Sequence, residues 1–341
     1  MRSGTGMRLA IAVVVAAALV AAGGTWVWGA ARDRVTLQLK WVAQAQFAGY
    51  YAARDKGFFD AAGLDVTIKP GGPDIIPEQV VAGGGAQFGI DWLPSLLSAR
   101  EQGTPLINIA QVFQYSGMRE IAFKASGIKT VNDLRGKKVA VWFGGNEFEL
   151  LATLDKYHIN RDKDLTLVKQ PFDMNLLLGR QVAAAAAMTY NEYHQVLEAG
   201  VKPADLVVID FNKEGTAMLE DGIFTTEAWL KDARNKEVAA RMLRASVQGW
   251  TFCRDHPSDC VEIVLKQDTT GVMTKQHQTT MMAEINKLIW GPPVPAHSTG
   301  YMEPAAFKRT ADIAYRFGVI KKPATDGAYT HAIWEKAQKI K

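Results

Sequence analysis

Short motifs of the common catalytic and metal sites are missing from this 341-residue sequence. It contains no His-Glu-x-x-His, no cysteine pair at metal-binding spacing and no Gly-x-Ser-x-Gly. The segment VAGGGAQFGIDW lacks the Gly-x-Gly-x-x-Gly spacing of dinucleotide-binding loops, and GGNEFE lacks the lysine and hydroxyl residue of a phosphate-binding loop. The histidines are scattered, at His158, His194, His256, His277, His297 and His331. The sequence therefore predicts no catalytic residue, no metal site and no cofactor.

Cysteine is scarce, since the chain has only Cys253 and Cys260. The segment between them contains a His-Pro pair, which favours a turn. An exported protein could close this short loop with a disulfide. Two buried thiols on neighbouring helices are the alternative, because the sequence does not report the distance between the two Cα atoms.

Excess charge is also low in most of the chain. The formal net charge is +4, but residues 1–34 contain four arginines and one aspartate, which leaves 35 basic and 34 acidic residues elsewhere. A nearly balanced charge gives no basis for binding to a polyanion. The sequence therefore predicts no nucleic-acid partner.

Long hydrophobic runs are absent after residue 35. Before it, the apolar run 9–20 follows Arg2 and Arg8 and precedes Gly29-Ala30-Ala31, which is the order of a secretory signal. An uncleaved anchor helix is the alternative, because apolar character persists towards the roughly 20 residues that span a bilayer. We expect residues 1–34 to be a signal peptide or N-terminal anchor. The rest should lie in the periplasm or at the outer face of the cytoplasmic membrane, with membrane contact only through this segment.

Beyond this segment, short β-prone runs alternate with longer segments of helical period, which is typical of βαβ units on a mostly parallel sheet. Strands are predicted over residues 35–41, 64–68, 88–92, 107–112, 121–124, 138–142, 166–169, 184–189 and 206–210. Helices are predicted over residues 49–59, 76–82, 94–101, 131–134, 147–157, 173–179, 192–199, 227–255, 258–266, 274–289, 303–317 and 330–339.

No long linker divides the chain, so we expect an α/β protein of two lobes that share the chain by crossing back and forth. Residues 35–115 would form the first part of lobe 1, and residues 116–214 would form lobe 2. Residues 215–341 would complete lobe 1 and add C-terminal helices.

Aromatic and amide side chains are dense where the first predicted strand leads into the first predicted helix. Trp41, Gln44, Gln46, Phe47 and Tyr50 lie in this segment. Open α/β sheets bind ligands beyond the carboxyl ends of their strands. A flat ligand with heteroatoms would stack on the rings and form hydrogen bonds with the amides. We expect these five residues to bind ligand; the alternative is a core tryptophan beside solvated glutamines.

A second junction follows the strand predicted to end at residue 142. There, glycines precede Asn146 and Glu147, and they would let a ligand approach the backbone. Local capping of the next helix explains these two residues equally well. Trp92, at the end of the strand predicted over 88–92, should line the same cleft.

The third junction places Tyr190, Asn191 and Glu192 directly after the strand predicted over 184–189. Tyr190 could stack on a ring while Glu192 accepts a charge-assisted hydrogen bond from a ring N–H. The alternative for Glu192 is interaction with the helix dipole.

Several segments together resemble one family. They are KWVAQAQFAGYYAARDKGFFDAAGLDVTIKPGGPD, QFGIDW, DLRGKKVAVWFGGNEFE, QPFDMNLLL, MTYNEY and DFNKEGTAMLEDGIF. The chain resembles, over roughly residues 35–335, the periplasmic solute-binding proteins related to the yeast-type thiamine-pyrimidine synthases. That family includes binding subunits of importers for thiamine-pyrimidine precursors and for riboflavin. The resemblance implies a type II periplasmic-binding fold, with two hinged α/β lobes around a ligand cleft, and an ABC permease with its ATPase as partners.

The chain departs from the pyrimidine-binding members at one loop. Where they carry Asn-His-Thr-Gly, it reads Gln46-Phe47-Ala48-Gly49, and the cysteine-rich iron-binding sequence of the synthases is missing. The QAQFAGYY form is similar to the riboflavin-type branch. We therefore predict a monomeric, non-enzymatic binding protein for a small planar heterocycle, either riboflavin or a thiamine-pyrimidine precursor. A synthase-like enzyme and a membrane-anchored ligand sensor with the same clamp are the alternatives.

Overall fold

The computed structural model describes residues 31–269, 271–291 and 299–340. The predicted signal peptide or anchor falls mainly on residues 1–30, which lie outside the described residues. From Arg32 onwards the chain forms one compact unit. No helix in the described ranges is long and apolar enough to cross a membrane.

The described residues form ten strands in two sheets. The strands are β1 (Asp33–Gln38), β2 (Leu64–Lys69), β3 (Phe88–Trp92), β4 (Leu106–Gln111), β5 (Met118–Phe123), β6 (Lys138–Val141), β7 (Thr166–Lys169), β8 (Ala184–Met188), β9 (Leu206–Asp210) and β10 (Asp221–Thr226). The first sheet has the order β2-β1-β3-β10-β4, and the second sheet has the order β7-β6-β8-β5-β9.

Each sheet contains one strand that is antiparallel to both of its neighbours, β10 in the first sheet and β5 in the second. Both are the first strand after the chain has crossed from the other sheet. A chain that leaves one sheet at the carboxyl ends of its strands enters the facing sheet at that same edge. It must then run against the parallel strands there, so the crossings explain the two reversed strands.

The helices of the described residues are α1 (Ala48–Asp55), α2 (Phe58–Ala61), α3 (Pro77–Ala82), α4 (Leu93–Glu101), α5 (Phe148–Lys156), α6 (Asn175–Leu178), α7 (Glu192–Glu198), α8 (Phe211–Glu214), α9 (Ala233–Asp255), α10 (Pro257–Leu265), α11 (Lys275–Trp290), α12 (Pro304–Arg316) and α13 (Ala332–Gln338). The helix predicted over 49–59 is two helices, because Gly57 takes a left-handed conformation, with φ 75°, that ends α1. The helix predicted from residue 227 begins at Ala233, where Asp232 caps it by accepting from the Arg234 N–H at 2.7 Å.

Strand β10 and the short helix α8 correct the sequence prediction, which contains neither. Asp221-Gly222 at the start of β10 has the composition of a turn, although it lies between β3 and β4 in the first sheet. A Cβ on Gly222 would overlap the Asn108 side chain of β4. The glycine is therefore there for close approach between strands rather than for a turn.

The two chain crossings meet at a buried group of polar side chains. Ser116 Oγ lies 2.9 Å from Glu149 Oε2 and 2.9 Å from Glu220 Oε1, and Glu149 Oε1 accepts from the Met218 N–H at 2.8 Å. Burial raises the pKa of Glu149 to about 8, and burial together with the Glu149 charge raises the pKa of Glu220. One hydroxyl hydrogen cannot serve two carboxylates, so a proton held by the pair supplies the second bond.

The C-terminal helices pack on the first sheet. Helix α9 lies so close to α1 that a side chain at Gly249 would overlap the backbone of Gly49. A disulfide joins Cys253 of α9 to Cys260 of α10, with the two Cα atoms 5.4 Å apart and both side chains fully buried. First-sheet strands come from residues 33–111 and 221–226, and second-sheet strands from residues 118–210. The lobe boundaries 35–115, 116–214 and 215–341 stay a prediction.

Candidate functional site

The carboxyl ends of strands from both sheets face one small cavity. Trp41 follows β1, Trp92 ends β3, Trp142 follows β6 and Tyr190 follows β8. The cavity, called here the inner cavity, spans about 300 Å³ of empty space, part of which is open to solvent. Its lining comprises Lys40, Trp41, Gln44, Gln46, Trp92, Trp142, Asn146, Met188, Tyr190, Asn191 and Glu192. Four large rings and several amides thus surround a small space.

Eight of the eleven side chains predicted to bind ligand line the inner cavity. They are Trp41, Gln44, Gln46, Trp92, Asn146, Tyr190, Asn191 and Glu192. Their contact with a ligand stays a prediction. They converge because each follows, ends or lies close after a strand whose carboxyl end points to the same cleft.

Phe47, Tyr50 and Glu147 do not reach this cavity. Phe47 is fully buried in the apolar core, because the chain turns into α1 at this point. Tyr50 packs edge-on against Trp250, with ring centroids 5.5 Å apart. Glu147 accepts from the Gly145 N–H at 2.8 Å, next to the start of α5. A local backbone contact of this kind was the alternative for Glu147.

Lys40 is a cavity residue that the sequence reasoning missed. Its Nζ forms a buried ion pair with Asp91 Oδ1 and lies 5.2 Å from the centroid of the Trp92 ring. Lysine is rarely buried without a partner. A lysine inside the strand predicted over 35–41, directly before Trp41, was the available signal, together with Asp91 in another predicted strand. Trp142 and Met188 were also missed, although each lies at the end of a predicted strand.

One wall of the cavity, called here the first-sheet wall, consists of Lys40, Trp41, Gln44, Gln46 and Trp92. Asp221 of β10 supports it from behind, accepting from the Gln46 amide and from the Trp92 indole N–H, both at 3.0 Å. Gln44 in turn donates to Gln46 Oε1 at 2.7 Å. These bonds fix the directions of the two amides that face the cavity.

Carboxylates outnumber cations behind the first-sheet wall. Burial opposes the charge of Lys40, but Asp91, Glu78 and Asp221 together raise the pKa of the lysine. Burial raises the pKa of Asp221 to about 7 despite the nearby lysine. Burial also raises the pKa of Glu78, as does the charge of Asp91. One cation therefore does not compensate three buried acids, and some of them carry protons near neutral pH.

The opposite wall, called here the second-sheet wall, consists of Trp142, Asn146, Met188, Tyr190, Asn191 and Glu192. Glu192 accepts from the Met188 N–H at 3.0 Å and from the Asn191 amide at 2.6 Å. Burial raises the pKa of Glu192 to about 7, and the two hydrogen bonds only partly oppose this. Near neutral pH this carboxyl can therefore either accept or donate a hydrogen bond.

His277 of α11 orients Asn191 and was not predicted as a site residue. Its Nε2 lies 2.8 Å from Asn191 Oδ1, and its Nδ1 lies 3.0 Å from Glu198. The Asn191 amide nitrogen points the other way, to Glu192 and, at 3.5 Å, to Gln44 Oε1. A polar chain thus links the two walls next to the inner cavity. His277 is far from Asn191 in sequence, so only the fold could reveal this contact.

Trp41 lies at the opening of the inner cavity and is 9% exposed. Its ring packs edge-on against Trp142 and Phe172, with centroid distances of 6.0 and 5.3 Å. Trp142 is fixed by donating to the Pro171 carbonyl at 2.9 Å. Trp41 therefore combines both roles considered for it, since it lines the cavity and packs against other rings.

A wider depression of about 1570 Å³, called here the outer cavity, adjoins the inner one. Trp41, Gln44 and Asn191 line both. Among the described residues, no group of three or more His, Cys, Asp or Glu side chains is arranged to hold a metal ion.

Known proteins with similar sequences indicate the family of this chain. The family model described as NMT1/THI5 like matches residues 44–260. The riboflavin-binding protein RibY of Chloroflexus aurantiacus is 25% identical over 301 residues, covering 85% of this chain and 83% of that protein. The formylaminopyrimidine-binding protein of Halalkalibacterium halodurans is 24% identical over 246 residues, covering 69% and 71%.

A solved structure with the same arrangement supports the fold assignment. A Candida albicans gene product with the generic periplasmic binding protein structural fold matches with a TM-score of 0.61 and 10% identity, covering 90% of this chain and 95% of that chain. The predicted α/β class and periplasmic-binding fold are therefore confirmed, as is the resemblance noted in the sequence. The chain belongs to the NMT1/THI5-like family.

Proposed function

We propose that this chain is the substrate-binding protein of an ABC importer and captures a small planar heterocycle in the inner cavity without altering it chemically. Riboflavin and thiamine-pyrimidine precursors are the candidate ligands. Two relatives whose names give riboflavin and formylaminopyrimidine as what they bind support this class of ligand. An ABC permease with its ATPase would receive the loaded protein, in the periplasm or at the outer face of the cytoplasmic membrane.

One observation carries the proposal: rings and polar groups from both sheets surround the same cavity. Trp92 on the first-sheet wall and Tyr190 on the second offer aromatic faces for a flat ring. Gln44, Gln46 and Glu192 offer hydrogen-bonding groups whose directions neighbouring residues already fix. Pre-oriented partners reduce the entropy lost on binding.

Contacts between the walls explain why such a protein would close around its ligand. Gln44 approaches Asn191 within 3.5 Å, and Trp41 packs against Trp142 and Phe172. These groups separate if the two sheets move apart about the crossings at Ser116. Closure of this kind lets a permease distinguish loaded from empty protein.

The test is a titration of purified protein with riboflavin, hydroxymethylpyrimidine and formylaminopyrimidine, followed by calorimetry. For the ligand that binds, Trp41→Ala should weaken affinity by about 2 kcal/mol or more, as expected for a buried aromatic anchor. Trp334→Ala is the matched control, because Trp334 of α13 packs against Tyr301 and lines neither cavity. Absorbance of the untreated protein reports a co-purified flavin directly.

Two outcomes would contradict the proposal. If none of the three compounds binds, the ligand class is wrong. If the protein forms a pyrimidine product when incubated with pyridoxal phosphate and iron, it is an enzyme. Unfolding of Trp41→Ala, measured by circular dichroism, would instead assign Trp41 to core packing against Trp142 and Phe172.

A further inference from the structure

The outer cavity has a distinct chemical character. Three carboxylates line it, those of Asp173, Glu198 and Asp268, together with the amides of Gln195 and Gln267. No lysine or arginine of the described chain belongs to its lining, although Arg54 donates to the lining residue Gln267 at 2.7 Å. A cleft lined by charges of one sign attracts or repels charged ligands before they bind.

The three carboxylates are held in place by the fold. Asp173 accepts from the Asn175 N–H at 2.9 Å at the start of α6. Asp268 accepts from the Gly271 and Met273 N–H groups at 2.9 and 2.7 Å. Glu198 lies 3.0 Å from His277, the one histidine in this lining. Their negative charge therefore stays at the cavity wall.

The size of the two cavities determines where a larger ligand would extend. The inner cavity spans about 300 Å³ of empty space and the outer cavity about 1570 Å³, both partly open to solvent. The inner cavity also borders a groove of about 250 Å³ beside Trp41, with the exposed apolar side chains of Ile75, Ile76 and Phe143. The outer cavity is lined by more carboxylate and amide groups than this groove, so a polar substituent on a bound ring would find more hydrogen-bonding partners there.

We propose that the outer cavity is a second ligand subsite, which accepts a neutral or cationic, hydroxyl-bearing chain attached to the ring and rejects phosphorylated ligands. Carboxylates and amide oxygens accept hydrogen bonds from hydroxyl and ammonium groups. A phosphate would face three carboxylates in a lining that contains no lysine or arginine, and the adjacent Arg54 is already bonded to Gln267, so phosphorylated ligands would be discriminated against by repulsion. The inference rests on the proposed function.

Three pairs of compounds test it, each differing by one phosphate: riboflavin and its 5′-phosphate, thiamine and its monophosphate, and hydroxymethylpyrimidine and its phosphate. In each pair that binds, we expect the free compound to bind at least about tenfold more tightly at low ionic strength, because phosphate meets the carboxylates. The ratio of the two affinities, free compound to phosphorylated compound, should decrease as the salt concentration increases, since the outer cavity is open to solvent.

A charge-neutral variant identifies the source of the preference. Asp173→Asn keeps an oxygen that can accept from the Asn175 N–H, and we expect it to reduce the ratio roughly threefold. Asp232→Asn is the matched control, because Asp232 also accepts from the backbone N–H two residues further on but lines neither cavity. It should leave the ratio unchanged.

The outcomes separate this inference from the proposed function. Equal or tighter binding of phosphorylated compounds overturns the inference and leaves the binding function intact. A ratio that neither salt nor Asp173→Asn changes overturns it as well. Binding of no compound in any pair refutes the ligand class and the inference together.

Discussion

The two walls of the inner cavity carry buried carboxyl groups in different settings. Behind the first-sheet wall, Lys40 lies among Asp91, Glu78 and Asp221, so a cation holds several acids together. On the second-sheet wall, Glu192 has the Met188 N–H and the Asn191 amide as partners, and no lysine or arginine belongs to that wall's lining. The first arrangement supports the fold around the cavity. The second leaves a carboxyl at the cavity surface with a protonation state that a ligand can shift.

The largest effect should come from removing the cation. Lys40→Met leaves Asp91 and its neighbouring acids buried without a counter-charge, which we expect to cost about 3–5 kcal/mol of unfolding free energy. Urea denaturation followed by circular dichroism measures it. Lys169→Met is the control, because its ion pair with Asp74 is exposed and should contribute little. Equal losses in the two variants would show that Lys40 does not hold the wall together.

The Glu192 carboxyl should make the unfolding free energy depend on pH. Its pKa is about 7 in the fold against an ordinary 4.5, so the folded state binds the proton more tightly than the unfolded chain. Unfolding free energy is therefore lost as pH rises from about 4.5 through 7, by about 2–3 kcal/mol. We expect Glu192→Gln to flatten this loss, as measured by urea denaturation at pH 5 and pH 8.

The exposed Glu262, paired with Lys275, provides the control for this experiment. Glu262→Gln should leave the pH dependence of the wild type unchanged. The Glu192→Gln variant could instead lose as much unfolding free energy between pH 5 and pH 8 as the wild type. Glu192 would then not be the source of the pH dependence, and the two walls would not differ in this respect.

The smallest effect should come from His277, which acts on the second-sheet wall from α11. His277→Ala removes the contacts to Asn191 and Glu198 and frees the Asn191 amide to turn. We expect affinity for the ligand to fall by about 1 kcal/mol, the typical contribution of one hydrogen bond. Calorimetry measures it, with His256→Ala as control because that exposed side chain stacks on Phe252 away from the cavity. Equal affinities in the two variants would mean that His277 does not position Asn191.

The cavity-lining residues that could be predicted from the sequence lie at the ends of predicted strands. Trp41, Trp92 and Tyr190 could be assigned to a cleft because the carboxyl end of a predicted strand marks the side of the sheet on which ligands bind. Phe47 and Tyr50 were assigned on proximity in sequence, but the turn into α1 directs both into the core. Side-chain direction within a loop depends on backbone angles that composition does not reveal.

The features that could not be predicted from the sequence depend on contacts between segments that are far apart in the chain. Lys40 is a cavity residue because Asp91, from a different strand, neutralises it inside the protein. Strand β10 was missed because Asp221-Gly222 has turn composition, yet it pairs with β3 on one side and β4 on the other as an interior strand of the sheet. Tertiary context overrides local propensity in both cases.

The amino-acid sequence by itself determined the α/β alternation, most strand positions and the family, because hydrophobic periodicity and local motifs are properties of neighbouring residues. Only the tertiary structure decided which side chains share the inner cavity, which acids hold protons there, and that an acidic outer cavity adjoins it. Those properties depend on distance and burial, which are set when segments far apart in the chain pack together.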